Sequence, residues 1–111
     1  MINFVKKGEV VTRTAPVGGV VSGTAYLIGS LLVVATVDAD AAAQFEGLTR
    51  GVVTLPKATG QAWTEGLKLY WDDSAKKITS TSGGNTLVGV ADAAAASADT
   101  TGDVRLDGVA R

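Results

Sequence analysis

The sequence of 111 residues contains neither cysteine nor histidine. Without cysteine there can be no disulfide bond and no thiolate metal site. Without histidine the chain lacks the most common general base and the most common metal ligand of proteins. A hydrolase would need a Ser/Lys pair or an N-terminal threonine, and nothing in the sequence marks either arrangement. We therefore expect no enzyme, no metal and no cofactor.

Charge of either sign is also scarce. The chain has 10 Lys and Arg residues against 11 Asp and Glu residues, a formal net charge of -1. Such a balance produces no general field that would attract phosphate groups. The two lysine doublets, at residues 6–7 and 76–77, are isolated from each other and have acidic or apolar neighbours. We therefore expect no nucleic-acid partner.

The longest uncharged stretch runs over residues 14–37, which is 24 residues. A membrane-spanning helix needs about 20 mostly apolar residues, but this stretch is interrupted by Pro16, by four glycines and by several Ser and Thr residues. The N-terminal sequence MINFVKKGEVV does not have the order of a secretory signal, because its basic pair follows the apolar residues. We expect no membrane partner and synthesis in the cytoplasm of the producing cell.

Apolar residues recur with a period of two rather than 3.6, as in LKLYWD at residues 67–72 and DVRLD at residues 103–107. The 14 glycines cut the chain into short segments at the spacing of turns. The sequence predicts one all-β domain over residues 1–111, a small β-barrel or sandwich with at most short helical turns. The predicted strands are residues 3–6, 9–13, 20–22, 25–28, 31–37, 44–46, 51–55, 67–72, 77–81, 86–91 and 103–106.

Two alanine-rich segments, residues 38–44 and 91–99, could instead be helical, because alanine is the best helix former. Both are shorter than the roughly 12 residues that an isolated helix needs. We expect a loop or a single helical turn in the first segment. In the second we expect the end of a strand followed by a loop.

Asp72 and Asp73 raise the question of a catalytic pair of carboxylates. In a strand, adjacent side chains point to opposite faces and cannot converge on one substrate atom. The sequence DDSA favours a turn, since Asp and Ser side chains bond nearby backbone N–H groups. A loop over residues 73–76 would place Trp71 opposite Ile78 and Asp72 opposite Lys77. We favour the hairpin tip over the catalytic pair.

Three further motifs do not fit the sites that they superficially resemble. Residues 38–49 begin like a calcium loop but lack its glycine and its final glutamate. Residues 60–68 lack the Gly-Lys-hydroxyl run of a phosphate loop. Residues 17–20 lack the glycine spacing and the following helix of a dinucleotide site.

Trp63 lies in a polar segment, residues 57–65, that has no strand periodicity. Its ring would be exposed unless it folds back onto the core or meets a partner, and tryptophan is enriched at interfaces. The interpretations left open are a core cap, an interface and a platform for a carbohydrate. We take Trp63 and Tyr70 as candidate interface residues.

The N-terminal segment, residues 1–7, has two partly apolar faces, with Ile2 and Phe4 on the same side of an extended strand. Terminal segments are loosely held unless something docks them. The segment is either an arm that docks by strand addition onto a partner or the first strand of the barrel. Ile2 and Phe4 are the candidate interface residues of such an arm.

The apolar residues are mostly small, and only 5% of the chain is aromatic. Small side chains bury little area per residue, so the isolated chain should be marginally stable and should gain from association. Short exposed strand edges also invite pairing with a neighbour. We expect a homo-oligomer.

A series of short motifs follows in order along nearly the whole chain: NFV from Asn3, APV from Ala15, SG from Ser22, Gly29, GVVTLPK from Gly51, Gly66, LYWD from Leu69, LVGVA from Leu87 and VRL from Val104. Together they resemble the capsid cement, or decoration, proteins of tailed phages. The GVVTLPK and YWD segments contribute most to the resemblance.

The resemblance implies a virion protein that sits on the outside of an icosahedral shell, binds the major capsid protein and stabilises the shell against internal DNA pressure. It also implies a fold of the β-tulip type and makes a homotrimer the expected assembly. Proteins of this family have often been described as RecA/RadA-like recombinases, but such an ATPase needs a phosphate loop and a much longer chain. The alternatives left open are a β-barrel binding module, for example for a host-surface glycan, and a DNA-binding recombination accessory protein.

Overall fold

A computed structural model of the chain describes residues 10–109. These residues form nine β-strands and no helix, so none of them lies in a helix long and apolar enough to cross a membrane. The all-β prediction is confirmed. The strands are β1 (Val10–Thr14), β2 (Ala25–Ile28), β3 (Leu31–Ala35), β4 (Gln44–Leu48), β5 (Arg50–Pro56), β6 (Lys68–Asp72), β7 (Lys77–Thr79), β8 (Thr86–Ala91) and β9 (Thr101–Asp107).

Nine of the eleven predicted strands have a counterpart among these elements. The strand predicted at residues 20–22 is wrong: turns at residues 17–18 and 22–23 leave only an isolated bridge between Val20 and Ala39. The strand predicted at residues 3–6 lies outside the described residues.

The two alanine-rich segments are not helical. Residues 38–44 contain the bridge residue Ala39 and a turn, and residues 91–99 lead from the end of β8 into bends and a turn. Each segment is too short to nucleate a helix alone, and each bonds to a neighbouring loop instead: Val20 N donates to Ala39 O, and Trp63 N donates to Ala95 O. The loop interpretation is confirmed for both.

The strands form two antiparallel sheets, with the orders β1-β4-β3-β2 and β5-β9-β8-β6-β7. The second sheet curls until its two edge strands approach each other at one end. There Lys57, directly after β5, bridges Ile78 of β7, and Ala58 N donates to Ile78 O at 2.9 Å. The structure therefore combines the two predicted architectures, a sandwich in which one sheet is a half-barrel.

The main core fills the space between the sheets. Its largest members, Trp63 and Trp71, are each 2% exposed. Burial of a large apolar side chain contributes about 1.5–3 kcal/mol, so these residues dominate the packing of an otherwise small-residue core. The buried members of this cluster are Ala25, Leu32, Val34, Leu55, Trp63, Leu69, Trp71, Ile78, Val88, Ala91, Val104 and Leu106.

A second apolar cluster lies on the other face of the first sheet. Val33 and Ala35 of β3 and Phe45 of β4 belong to it, and loop residues Ala15 and Val20 cover them. Since Leu32 and Val34 belong to the main core, β3 is buried on both faces. This explains its continuous run of apolar residues, which is typical of a strand covered on both sides.

Gly102 of β9 lies directly beneath the ring of Trp63. A Cβ atom at this position would come within 2.3 Å of the indole Cζ3 atom, which is far closer than carbon atoms can approach. The absence of a side chain here lets the ring lie in contact with the strand. Glycine at position 102 is thus a packing requirement.

We predict that Gly102→Ala lowers the free energy of unfolding by about 1–3 kcal/mol, the usual cost of overpacking a core. Urea unfolding followed by tryptophan fluorescence measures the change. The matched control is Gly83→Ala, because a Cβ at Gly83 meets nothing within 4 Å; it should stay within about 0.5 kcal/mol of the wild type. Equal effects of the two substitutions would contradict the packing role.

Candidate functional site

The hairpin between β6 and β7 has the register that the sequence predicts. Trp71 pairs with Ile78, and Asp72 pairs with Lys77. Lys76 closes the four-residue loop with a φ of +57° and donates from its backbone N to Asp72 O at 2.7 Å. Asp72 and Asp73 therefore lie at a hairpin tip, as predicted.

Both carboxylates are engaged by the turn itself. Asp72 Oδ1 accepts from the backbone N atoms of Ser74 and Ala75, each at 3.1 Å. Asp73 Oδ1 accepts from Lys76 Nζ at 2.8 Å and from Trp71 Nε1 at 3.0 Å. Asp73 thus ties the exposed tip to a tryptophan of the core.

These bonds lower the pKa of Asp73 below its ordinary value of 3.8. The hydrogen bond from Lys76 is the largest cause, the bond from Trp71 is the second, and slight desolvation opposes them. A lowered pKa is the opposite of what a general acid working near neutral pH requires. Among residues 10–109, no three Asp or Glu side chains gather closely enough to hold a metal ion.

We predict that Asp72→Asn and Asp73→Asn each cost at most about 1 kcal/mol of stability, the range for exposed pairs and turn residues. Because the folded-state pKa of Asp73 lies below the unfolded value, its stabilising effect is complete only well above pH 3.8 and is lost as the pH falls through the folded-state pKa. The difference in unfolding free energy between wild type and Asp73→Asn should therefore shrink in acid. A difference that grows in acid would contradict this assignment.

Trp63 packs in the core rather than on the surface. Its backbone exchanges two hydrogen bonds with Ala95, at 2.9 Å and 3.1 Å, which turns the segment inward and lays the ring over Gly102. The position of the ring matches the first of the three interpretations that the sequence left open, a core cap. At 2% exposure the side chain offers almost no surface in the isolated chain.

Lys57 is a buried cation that sequence reasoning missed. It is 0% exposed, and its Nζ lies 3.1 Å from Ala58 O, 3.4 Å from Asp99 O and 5.6 Å from the centre of the Trp63 ring. Carbonyl dipoles and an aromatic face are both partners for an ammonium group. Lysine is almost never fully buried, and no signal in the sequence distinguishes Lys57 from a surface lysine.

Gln61 bonds to the end of β7, next to the point where Ala58 pairs with Ile78. Its Nε2 donates to Thr79 Oγ1 at 2.8 Å, and its Oε1 accepts from Ser80 N at 2.8 Å. The side-chain amide thus satisfies a backbone N–H at this edge that a neighbouring strand would otherwise bond.

Tyr70 is half-buried in the middle of β6. Leu69 and Trp71 on either side point into the core, so the alternation of a strand places Tyr70 on the outward face of the second sheet. Its cross-strand partners are Thr79 of β7 and Leu87 of β8. Of the four candidate interface residues, Tyr70 reaches the surface and Trp63 does not, while Ile2 and Phe4 lie outside the described residues.

The polar groups described above stabilise the fold. The Asp72 and Asp73 carboxylates, the Lys57 ammonium and the Gln61 amide all bond to this chain's own loops and turns. A search of curated proteins and a search of solved structures gave no match. The family model of phage cement proteins matches residues 5–106, and the chain therefore belongs to the phage cement protein family.

Proposed function

We propose that this protein binds the outside of a phage capsid shell and stabilises it as a cement protein. The observation that carries the proposal is the family match, which covers residues 5–106 and so includes every described strand except the last residue of β9. Its partner is the major capsid protein, and its place is the exterior of the virion after synthesis in the host cytoplasm.

The packing of the described residues supports a structural rather than a chemical role. Both clusters of apolar residues are closed by loops that bond back to the sheets, and the acidic and basic groups of the hairpin serve the fold. A near-neutral chain with net charge -1 has no field directed at nucleic acid. Burial of Trp63 also removes the aromatic platform on which a glycan-binding role would depend.

We further propose that the protein acts as a homotrimer. Tyr70 supplies an aromatic contact on the outward face of the second sheet, and aromatic residues are enriched in subunit contacts. A symmetric ring of subunits matches the closed assemblies that most homo-oligomers adopt.

Shells of the phage that encodes this protein, prepared without it, provide the test. The purified protein should sediment with these shells and raise the temperature at which they release DNA or collapse, since a ligand that binds the intact state stabilises it by mass action. Shells of an unrelated phage are the control. Absence of binding, or binding without an increase in that temperature, would contradict a cement role.

A deletion of residues 2–7 tests the N-terminal arm that carries Ile2 and Phe4. An arm used for docking can be removed with the folded oligomer intact and with weaker attachment to shells. Circular dichroism and light scattering report the fold and the oligomer, and co-sedimentation reports the attachment. A truncated chain that fails to fold, or that binds shells as tightly as the full-length chain, would contradict the hypothesis that this segment docks onto the shell.

A further inference from the structure

Two loops of the first sheet are joined into one structure, which we call the loop tip: residues 15–24 between β1 and β2, and residues 36–43 between β3 and β4. Val20 and Ala39 exchange two backbone hydrogen bonds, at 2.8 Å and 3.0 Å. Ala15 N donates to Ala43 O at 2.8 Å, and Ala42 N donates to Ala15 O at 3.0 Å. Backbone pairing thus holds the two loops together along their length.

Further contacts fix the shape of the loop tip. Val21 N donates to the Tyr26 hydroxyl at 2.9 Å, and Ser22 N donates to Asp38 Oδ1 at 2.7 Å. Gly19 has a φ of +77°, and a Cβ there would lie 2.5 Å from a backbone oxygen of the other loop. Ala42 holds a φ of +66°, a conformation that costs a residue with a side chain about 1 kcal/mol or more. Such a conformation persists only where the surrounding structure enforces it.

This fixed structure presents apolar side chains to solvent. Val17 is 100% exposed and Val21 is 60% exposed. Val21 and Gly18 share a shallow depression of about 350 Å³ with Asp38 and Asp40. Residues 14–43 contain no lysine or arginine, so the charge of the loop tip is entirely acidic.

Rigid apolar groups in water favour association, because little conformational freedom is lost when a partner covers them. The carboxylates beside Val21 select a partner that carries cationic groups. They also oppose contact between the loop tips of two copies, since such a contact would bring acidic groups together.

We propose that the loop tip is the surface that seats on the capsid shell. It takes an apolar contact on Val17 and Val21, and basic side chains of the major capsid protein next to Asp38 and Asp40. The proposal rests on the cement function and identifies the surface that performs it.

The apolar contact is tested with the double variant Val17→Asn/Val21→Asn in the full-length chain. Both side chains point to solvent, so the variant should fold, and circular dichroism checks this. Its affinity for shells prepared without the protein should fall by about tenfold or more, because polar groups would enter an apolar contact unpaired. The matched control is Val109→Asn, a valine that is 51% exposed beyond the end of β9 and whose replacement should leave shell binding unchanged.

The charge contact is tested with Asp40→Lys against the control Asp92→Lys, which reverses an exposed carboxylate outside the loop tip. Asp40→Lys should weaken shell binding, and added salt should reduce the difference from wild type. Asp92→Lys should bind as the wild type does.

If the wild type binds shells and the loop-tip variants bind them equally well, this inference is wrong and the cement function still stands. Equal loss with the control variants would overturn it as well. If light scattering showed that the variants change the oligomeric mass while shell binding stays the same, the proposal would be wrong and the loop tip would be a contact between copies instead. A wild-type protein that binds no shells would overturn both this inference and the cement function.

Discussion

The central constraint of the structure is that β3 must be covered on both faces. Its sequence, LLVVA, has no polar side chain, and each buried valine or leucine contributes about 1.5–3 kcal/mol only when water is excluded from it. The second sheet covers Leu32 and Val34, whereas loops cover Val33 and Ala35. A single sheet packed on one side would leave half of this strand in water.

This requirement explains why the two loops of the loop tip are ordered. To cover Val33, the chain must place Ala15 and Val20 against the back of the first sheet. This burial would leave backbone N–H and C=O groups without hydrogen-bond partners, and pairing with residues 39–43 supplies those partners. Apolar residues at the outer side of the same loops are then held in fixed positions. The surface proposed for docking is therefore a consequence of how the core is closed.

The half-barrel is closed by side chains from residues 57–63, a segment that the sequence describes only as polar. Lys57 donates to loop carbonyls, Gln61 bonds to the end of β7, and Trp63 lies on Gly102 because that position lacks a side chain. Their neighbours in space come from residues 78–80 and 95–102, far along the chain. No local pattern could reveal those partners, and the pairing of Trp63 with Ala95 decided an orientation that the sequence left open.

The sequence by itself determined the all-β class, nine of the strands and the register of the β6–β7 hairpin, because alternation of side chains, glycine spacing and turn residues act over a few positions. It also determined the family, through motifs spread along the chain. Only the tertiary structure decided that residues 20–22 form a bridge rather than a strand, that Lys57 and Trp63 are buried, and that Val17 and Val21 remain exposed. Burial depends on which distant segments meet, and that is a property of the packed sheets rather than of any segment alone.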